Sequence, residues 1–233
     1  MPKKPLLSIG MPVYNGDTFL AETLENLLGQ TFGDFDLVIS DNASTDGTRD
    51  ICEAFAAKDS RVSYHLQERN VGAGPNHNYV VHASTAPLFK MAAHDDLHAP
   101  TYLEKCVAVL NEDPDVVLSH SDSTLIGNEG VPLTLDPETQ MFDDPITGEK
   151  LPHEPVDVAE GESSNERFSE VLHKFIWCSD MYGVMRREAL NQTSLFRSFY
   201  GSDKVFLAEM ALLGKFHHVR EVLFLKRYHS EMS

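Results

Sequence analysis

Asp95 and Asp96 stand side by side just past the apolar run 88–92. Neighbouring carboxylates repel unless a cation or a set of hydrogen bonds compensates them. Hard divalent cations such as magnesium or manganese favour oxygen ligands, commonly one or two carboxylates plus the phosphates of a substrate. A plainer reading stands beside this one: Asp96 caps the helix that opens at Pro100, and Asp95 is solvated. Asp41 closes a second apolar run, 37–40. A carboxylate there can accept a hydrogen bond from the ring N–H of a base, and Tyr14, after a third run, can supply apolar surface. Asp41 also reads as a turn residue.

Such residues need a scaffold that brings them together. Short apolar runs at 6–11, 37–40, 62–66, 88–92 and 116–119 read as strands. Helical patterns separate them, opening near Asp17, at Asp46 and Gly47, at Pro75 and at Pro100. After residue 162 come a helix over 166–175, a short strand over 182–185, a helix over 203–213 and a closing strand over 219–228. Strands alternating with helices imply an α/β fold, a mostly parallel central sheet flanked by helices. Ligands of such sheets bind at the carboxyl ends of the strands. Four polar turns fall there: Tyr14, Asn15 and Gly16; Asp41 to Ser44; Asn70, Val71 and Gly72; His94, Asp95 and Asp96. They converge on one cleft.

Several chemistries drop out. No GxGxxG follows the first strand, and GxxxxGK[ST], HExxH and GxSxG are all missing. The formal net charge is −17, from 19 Lys and Arg against 36 Asp and Glu. That excess opposes a general nucleic-acid surface and a polybasic membrane surface. More than half of it, −9, falls in residues 127–162, which hold five of the twelve prolines. This stretch reads as a long loop with little regular structure, either a mobile flap over the cleft or a solvated insertion. Cys52, Cys106 and Cys178 form no CxxC pair, so a reduced, cytoplasmic setting is the simplest reading. The basic and apolar start is cut short by Pro12, Tyr14 and Asn15, against a signal peptide, and no run is long enough to span a membrane. Peripheral membrane association and oligomeric state stay open.

The motifs, taken in order, resemble family 2 glycosyltransferases with the GT-A fold. Ser8-Ile9-Gly10-Met11-Pro12-Val13-Tyr14-Asn15-Gly16 is similar to the family's opening strand, and Asp41-Asn42-Ala43-Ser44-Thr45-Asp46-Gly47-Thr48 to its second signature. Asn70-Val71-Gly72 with Asn78 resembles its third, and His94-Asp95-Asp96 before Pro100 its DXD-type motif. Ser202-Asp203 and the helix after it resemble the acceptor-side segment, and Arg227-Tyr228-His229 the closing R-x-H. The resemblance covers nearly the whole chain except 127–162. It implies one GT-A domain over 1–233. A Rossmann-like nucleotide-sugar-binding half, 1–126, is joined through the acidic segment 127–162 to an acceptor-binding half, 163–233.

The resemblance also implies roles. Pro12, Val13, Tyr14 and Asn15 would line the base pocket, with Asp41 and Asn42 reading the base, commonly uracil. Asn70, Asn78 and His94 would complete the nucleotide side, although Asn70 and Asn78 also read as turn or cap residues. Asp95, with Asp96 and His229, would hold a divalent metal, magnesium or manganese, between protein and diphosphate. Arg227 or Lys226 would help balance the diphosphate. Asp203 would be the general base for inverting transfer from a nucleotide-diphosphate sugar, UDP-sugar favoured, to a saccharide or glycoconjugate hydroxyl; it also reads as a helix-start acid. Trp177 reads as a core residue or a sugar platform. Ala93 and Ser202 depart from the family pattern and leave a second function open: a non-catalytic nucleotide-sugar-binding or scaffold protein. A sugar-phosphate nucleotidyltransferase would need a glycine-rich basic loop after the first strand, which is missing. Without the Q-x-x-R-W signature, the chain reads as a single-addition transferase.

Overall fold

The computed structural model describes residues 4–144, 147–153 and 159–229. The first half runs β1 (Leu7–Val13), α1 (Leu20–Leu28), β2 (Phe35–Asp41), α2 (Thr48–Lys58), β3 (Val62–Leu66), α3 (Ala73–Ala83) and β4 (Leu88–Met91). Then come β5 (Leu97–His98), α4 (Tyr102–Glu112) and β6 (Val116–Ile126), followed by β7 (Leu135–Asp136), β8 (Met141–Asp143) and β9 (Lys150–Pro152). The last part is α5 (Ser164–Lys174), β10 (Val184–Arg186), α6 (Arg187–Leu190), α7 (Ser202–Leu213) and β11 (Lys215–Arg227).

β1 is buried along its whole length, as a central strand with helices on both faces must be. Leu7, Ile9, Met11 and Val13 share one face and pack with α1, α2 and α4. On the sheet's other face α3 packs on β1 and β2, and α7, backed by α5, packs on β6, with Val80, Val171, Phe206 and Met210 in that core. Gly10 lets α3 lie close to the sheet. A Cβ there would stand 2.7 Å from Val80 Cγ2 and 2.8 Å from the Phe89 ring. Gly10→Ala is therefore expected to cost about 1–3 kcal/mol. Urea unfolding would read this as a lower midpoint at unchanged slope.

The large sheet has the order β3-β2-β1-β4-β10-β6-β11-β5. β1, β2, β3 and β4 are parallel, as are β6 and β11, while β10 is antiparallel to both its neighbours. The chain moves outward from β1 to β3, then returns on the other side of β1 as β4. That reversal opens a crevice beyond the carboxyl ends of β1 and β4.

Most expected elements are present with ends shifted by a few residues. Three differences have physical causes. α1 opens at Leu20, three residues after Asp17, whose carboxylate instead accepts from the Gly47 N–H at 3.0 Å. β6 continues far past Ser119, because a polar tail that hides its strand character pairs with β11 up to Ile126. The acidic stretch contains a three-stranded antiparallel sheet, β7-β8-β9, with Phe142 buried between Leu135 and Leu151. Residues 145–146 and 154–158 of that stretch lie outside the described residues. Among the described residues, no helix is long and apolar enough to cross a membrane.

Candidate functional site

A cleft of about 800 Å³ opens at the crevice. Its floor is built from the loops after β1 and β2, which are sewn together. Asn15, in the left-handed region at φ 50°, accepts from the Thr45 N–H at 2.8 Å and donates its own N–H to Ser44 Oγ at 2.9 Å. Gly16 donates to Thr48 Oγ1 at 2.8 Å. It has no room for a side chain, since a Cβ would lie 2.5 Å from His94 Cδ2. Pro12, Val13, Tyr14, Asn15 and His94 all line the cleft, and Tyr14 is half-exposed there.

Asp41 stands behind that wall. It is fully buried, and its two oxygens accept from the Ser44 N–H and the Tyr64 hydroxyl, both at 2.8 Å. Asn42 reaches the cleft and braces the next loop: its amide donates to Asn70 Oδ1 at 3.0 Å and its oxygen accepts from the Val71 N–H at 2.8 Å. Asn70 in turn accepts from Gly72 at 2.9 Å. Asn78 is placed elsewhere. Both ends of its amide pair with the Phe196 backbone, at 2.8 and 3.0 Å, so it staples α3 to the loop before α7. The cleft asparagine on α3 is Asn76, which sequence reasoning passed over. It pairs with Ser40 through both amide ends, at 2.7 and 3.0 Å. Its signal was a polar residue four before Val80, on the same buried face of α3.

At the mouth of β4, Asp95 Oδ2 lies 3.0 Å from His229 Nε2, and both residues line the cleft. The two come together because Arg227 ties the end of β11 to the loop after β4. Its backbone N–H donates to Asp96 Oδ1 at 2.8 Å, and its Nε donates to the Asp95 carbonyl at 2.7 Å. The guanidinium also meets the carbonyls of Gly127 and Asn128 and the Glu22 carboxylate, at 3.0, 2.5 and 2.6 Å. It is wholly buried against the Phe19 ring and so serves the fold; Lys226 lines the cleft beside it. Asp96 is nearly buried; burial and the neighbouring Asp95 charge push its carboxyl up to about 7. Its Oδ1, accepting from the Arg227 N–H, holds the end of β11 in place.

A divalent ion fits the Asp95–His229 pair by donor chemistry: one carboxylate and one imidazole facing a cleft wide enough for a diphosphate. Among the described residues, no group of three or more His, Cys, Asp or Glu could hold a metal by itself. The rest of a coordination sphere would have to come from substrate and water.

Asp203 lines the cleft from the first turn of α7. Gly201, at φ 80°, turns the chain into that helix, and Asp203 Oδ1 accepts from the Lys204 N–H at 2.8 Å. Trp177 is not a core residue. It is 46% exposed, lines the same cleft, and its ring lies 5.6 Å from Lys226 Nζ. The buried place falls to Cys178, whose left-handed backbone (φ 54°, ψ 24°) turns the chain inward after the indole. The acidic segment is tied near the Asp95–His229 pair, through Arg227 on the Gly127 carbonyl and through Tyr228, whose hydroxyl donates to Asp144 at 3.1 Å.

Residues 8–192 match the family described as Glycosyl transferase family 2. The chain belongs to that family. Its relatives include the glycosyltransferase GlyG of Streptococcus pneumoniae, 30% identical over 49% of this chain and 38% of GlyG. The uncharacterized glycosyltransferase MJ1057 of Methanocaldococcus jannaschii is 30% identical over 54% of this chain and 44% of its own length. Staphylococcus aureus TarS, solved with UDP-GlcNAc, superposes with a TM-score of 0.73 at 16% identity, over 97% of this chain and 59% of TarS. The mannosyltransferase PcManGT of Pyrobaculum calidifontis, solved with GDP-Man and Mn2+, gives 0.65 at 15% identity, over 99% and 59%. These likenesses establish the GT-A fold for the family 2 chain. It spans less than two-thirds of the length of any of the four.

Proposed function

We propose that this chain transfers a sugar from a nucleotide-diphosphate sugar, a UDP-sugar by preference, to an acceptor hydroxyl with inversion. The observation that carries this reading is that the Asp95–His229 pair, Lys226 and Asp203 all line one cleft at the strand ends. Tyr14, Asn15, Asn42 and Asn70 surround the nucleotide, and Asp41 holds the loop that shapes its pocket. Asp95 and His229 would hold a magnesium or manganese ion, which when bound neutralises charge on the departing diphosphate. Lys226 adds a second positive charge at that end. Asp203 accepts the proton of the acceptor hydroxyl as its oxygen bonds to the anomeric carbon. The bond from that carbon to the diphosphate breaks, and its electron pair leaves with the diphosphate. The UDP-GlcNAc and GDP-Man of the two structural neighbours support a nucleotide-sugar donor, and the Mn2+ of one supports a metal.

The test is nucleotide release from UDP-, GDP- and dTDP-sugars with manganese, with and without EDTA, across a panel of saccharide acceptors. Transfer is expected with a UDP-sugar, suppressed by EDTA. Asp95→Ala should lower it at least about 100-fold. Binding without transfer would favour the non-catalytic alternative, and absence of any nucleotide-sugar binding would overturn both.

A further inference from the structure

On the Asp203 side of the cleft, ionisable side chains lie behind the wall, where no step of the transfer uses them. His120 on β6 and Asp180 are both buried, and His120 Nδ1 stands 2.5 Å from Asp180 Oδ1. His218 of β11 stacks on the His120 ring, with centroids 5.3 Å apart and planes at 29°. Its Nε2 lies 2.7 Å from Asp122 Oδ1, so the His120 ring is held from both sides. Burying ionisable groups costs several kcal/mol per ion, and apolar packing of similar volume would hold a turn at lower cost. What such a pair adds is a single allowed geometry.

The geometry it fixes is that of the cleft wall. Asp180 belongs to the short 3₁₀ turn Ser179–Tyr182. Ser179, Met181 and Tyr182 line the cleft together with Trp177 and Cys178 just before them. Cys178 enters the turn in the left-handed region, a strained conformation for a residue with a Cβ. The far end is gripped too: the Tyr182 carbonyl accepts from Lys90 Nζ at 2.5 Å and from the Tyr102 hydroxyl at 3.1 Å. At Gly183 a Cβ would lie 2.8 Å from the Ser119 carbonyl, so β6 grips the turn at two points. Lys204, the neighbour of Asp203, donates to the Phe175 carbonyl at 2.9 Å and ties the same segment to α7.

We propose that His120 and Asp180 are a positioning pair that sets the acceptor-facing wall, and with it acceptor affinity. Neither touches a reactant. The proposal rests on the transferase reading above. Its test uses the donor and acceptor that the panel identifies, with Asp180→Ala, Asp180→Asn and His120→Gln. Asp180→Ala and His120→Gln are expected to raise the acceptor KM about tenfold or more while the donor KM stays within about twofold. Asp180→Asn keeps an oxygen that can accept from Nδ1–H, so it should recover most of the acceptor affinity. If Asp180→Ala fails to fold, the other two variants decide. Donor and acceptor KM moving together, or neither moving, would overturn the proposal and leave the transferase reading intact. If the wild type transfers nothing from any donor, that reading falls first and takes this one with it.

Discussion

Asp203→Asn is expected to lower transfer about 10²–10⁴-fold while UDP binding in the presence of manganese stays within about twofold. The range is what a positioned base contributes when it takes a proton in the transition state. The substitution is clean. Asparagine has the same shape, and its side-chain oxygen can still accept from the Lys204 N–H, so the start of α7 should not move. Only the ability to take up a proton is lost. The nucleotide loops, held by Asn15, Asn42 and Asn76, are on other elements and should be untouched. Steady-state kinetics and titration calorimetry with UDP separate the two effects. Unchanged kcat would remove Asp203 from the base role. An equal loss in UDP affinity would mean that the carboxylate shapes the nucleotide pocket instead.

The parts of the fold that were legible are those where local chemistry decides. Leu7, Ile9, Met11 and Val13 alternate along β1, and the polar turns after the strands had to lie on the sheet's carboxyl edge, where the cleft is. Asp95 and Asp203, expected at a strand end and a helix start, both line the cleft, each partly buried. What was hidden depended on partners distant in sequence. Asn78 looks like a pocket residue by type, yet a loop more than a hundred residues away takes both of its amide groups. Trp177 looked like core because tryptophan is large and apolar; only the left-handed turn at Cys178 shows which residue is buried. The tail of β6, mostly small polar residues around Asp122, has no strand pattern, and pairing with β11 imposes one. In the acidic segment, charge and proline masked a small sheet whose apolar content rests largely on Phe142.

Arg227→Lys should be the most damaging conservative change in the protein: a loss of about 3 kcal/mol or more in urea unfolding, together with about 10–100-fold weaker manganese-dependent transfer. The reason is geometric. The guanidinium is fully buried and serves the carbonyls of Asp95, Gly127 and Asn128 and the Glu22 carboxylate from one planar group. Lysine keeps the charge, but its compact ammonium cannot reach acceptors spread around a plane. The carbonyls of Asp95, Gly127 and Asn128, all in part-buried contacts, would lose their donors, at about 0.5–1.5 kcal/mol each. The Glu22 contact is the smaller part, since that carboxylate is half-exposed and solvent screens it. Glu22→Gln should therefore cost less than about 1 kcal/mol. The loss of function follows from the same contacts. Arg227 fixes the Asp95 carbonyl, and its own backbone holds Asp96, so the Asp95 and His229 side chains face each other only while Arg227 holds both strand ends. Excess manganese should recover part of the activity of Arg227→Lys and none of its stability. Full recovery of both, or an intact manganese response in a destabilised variant, would show that the Asp95–His229 pair stands without this arginine.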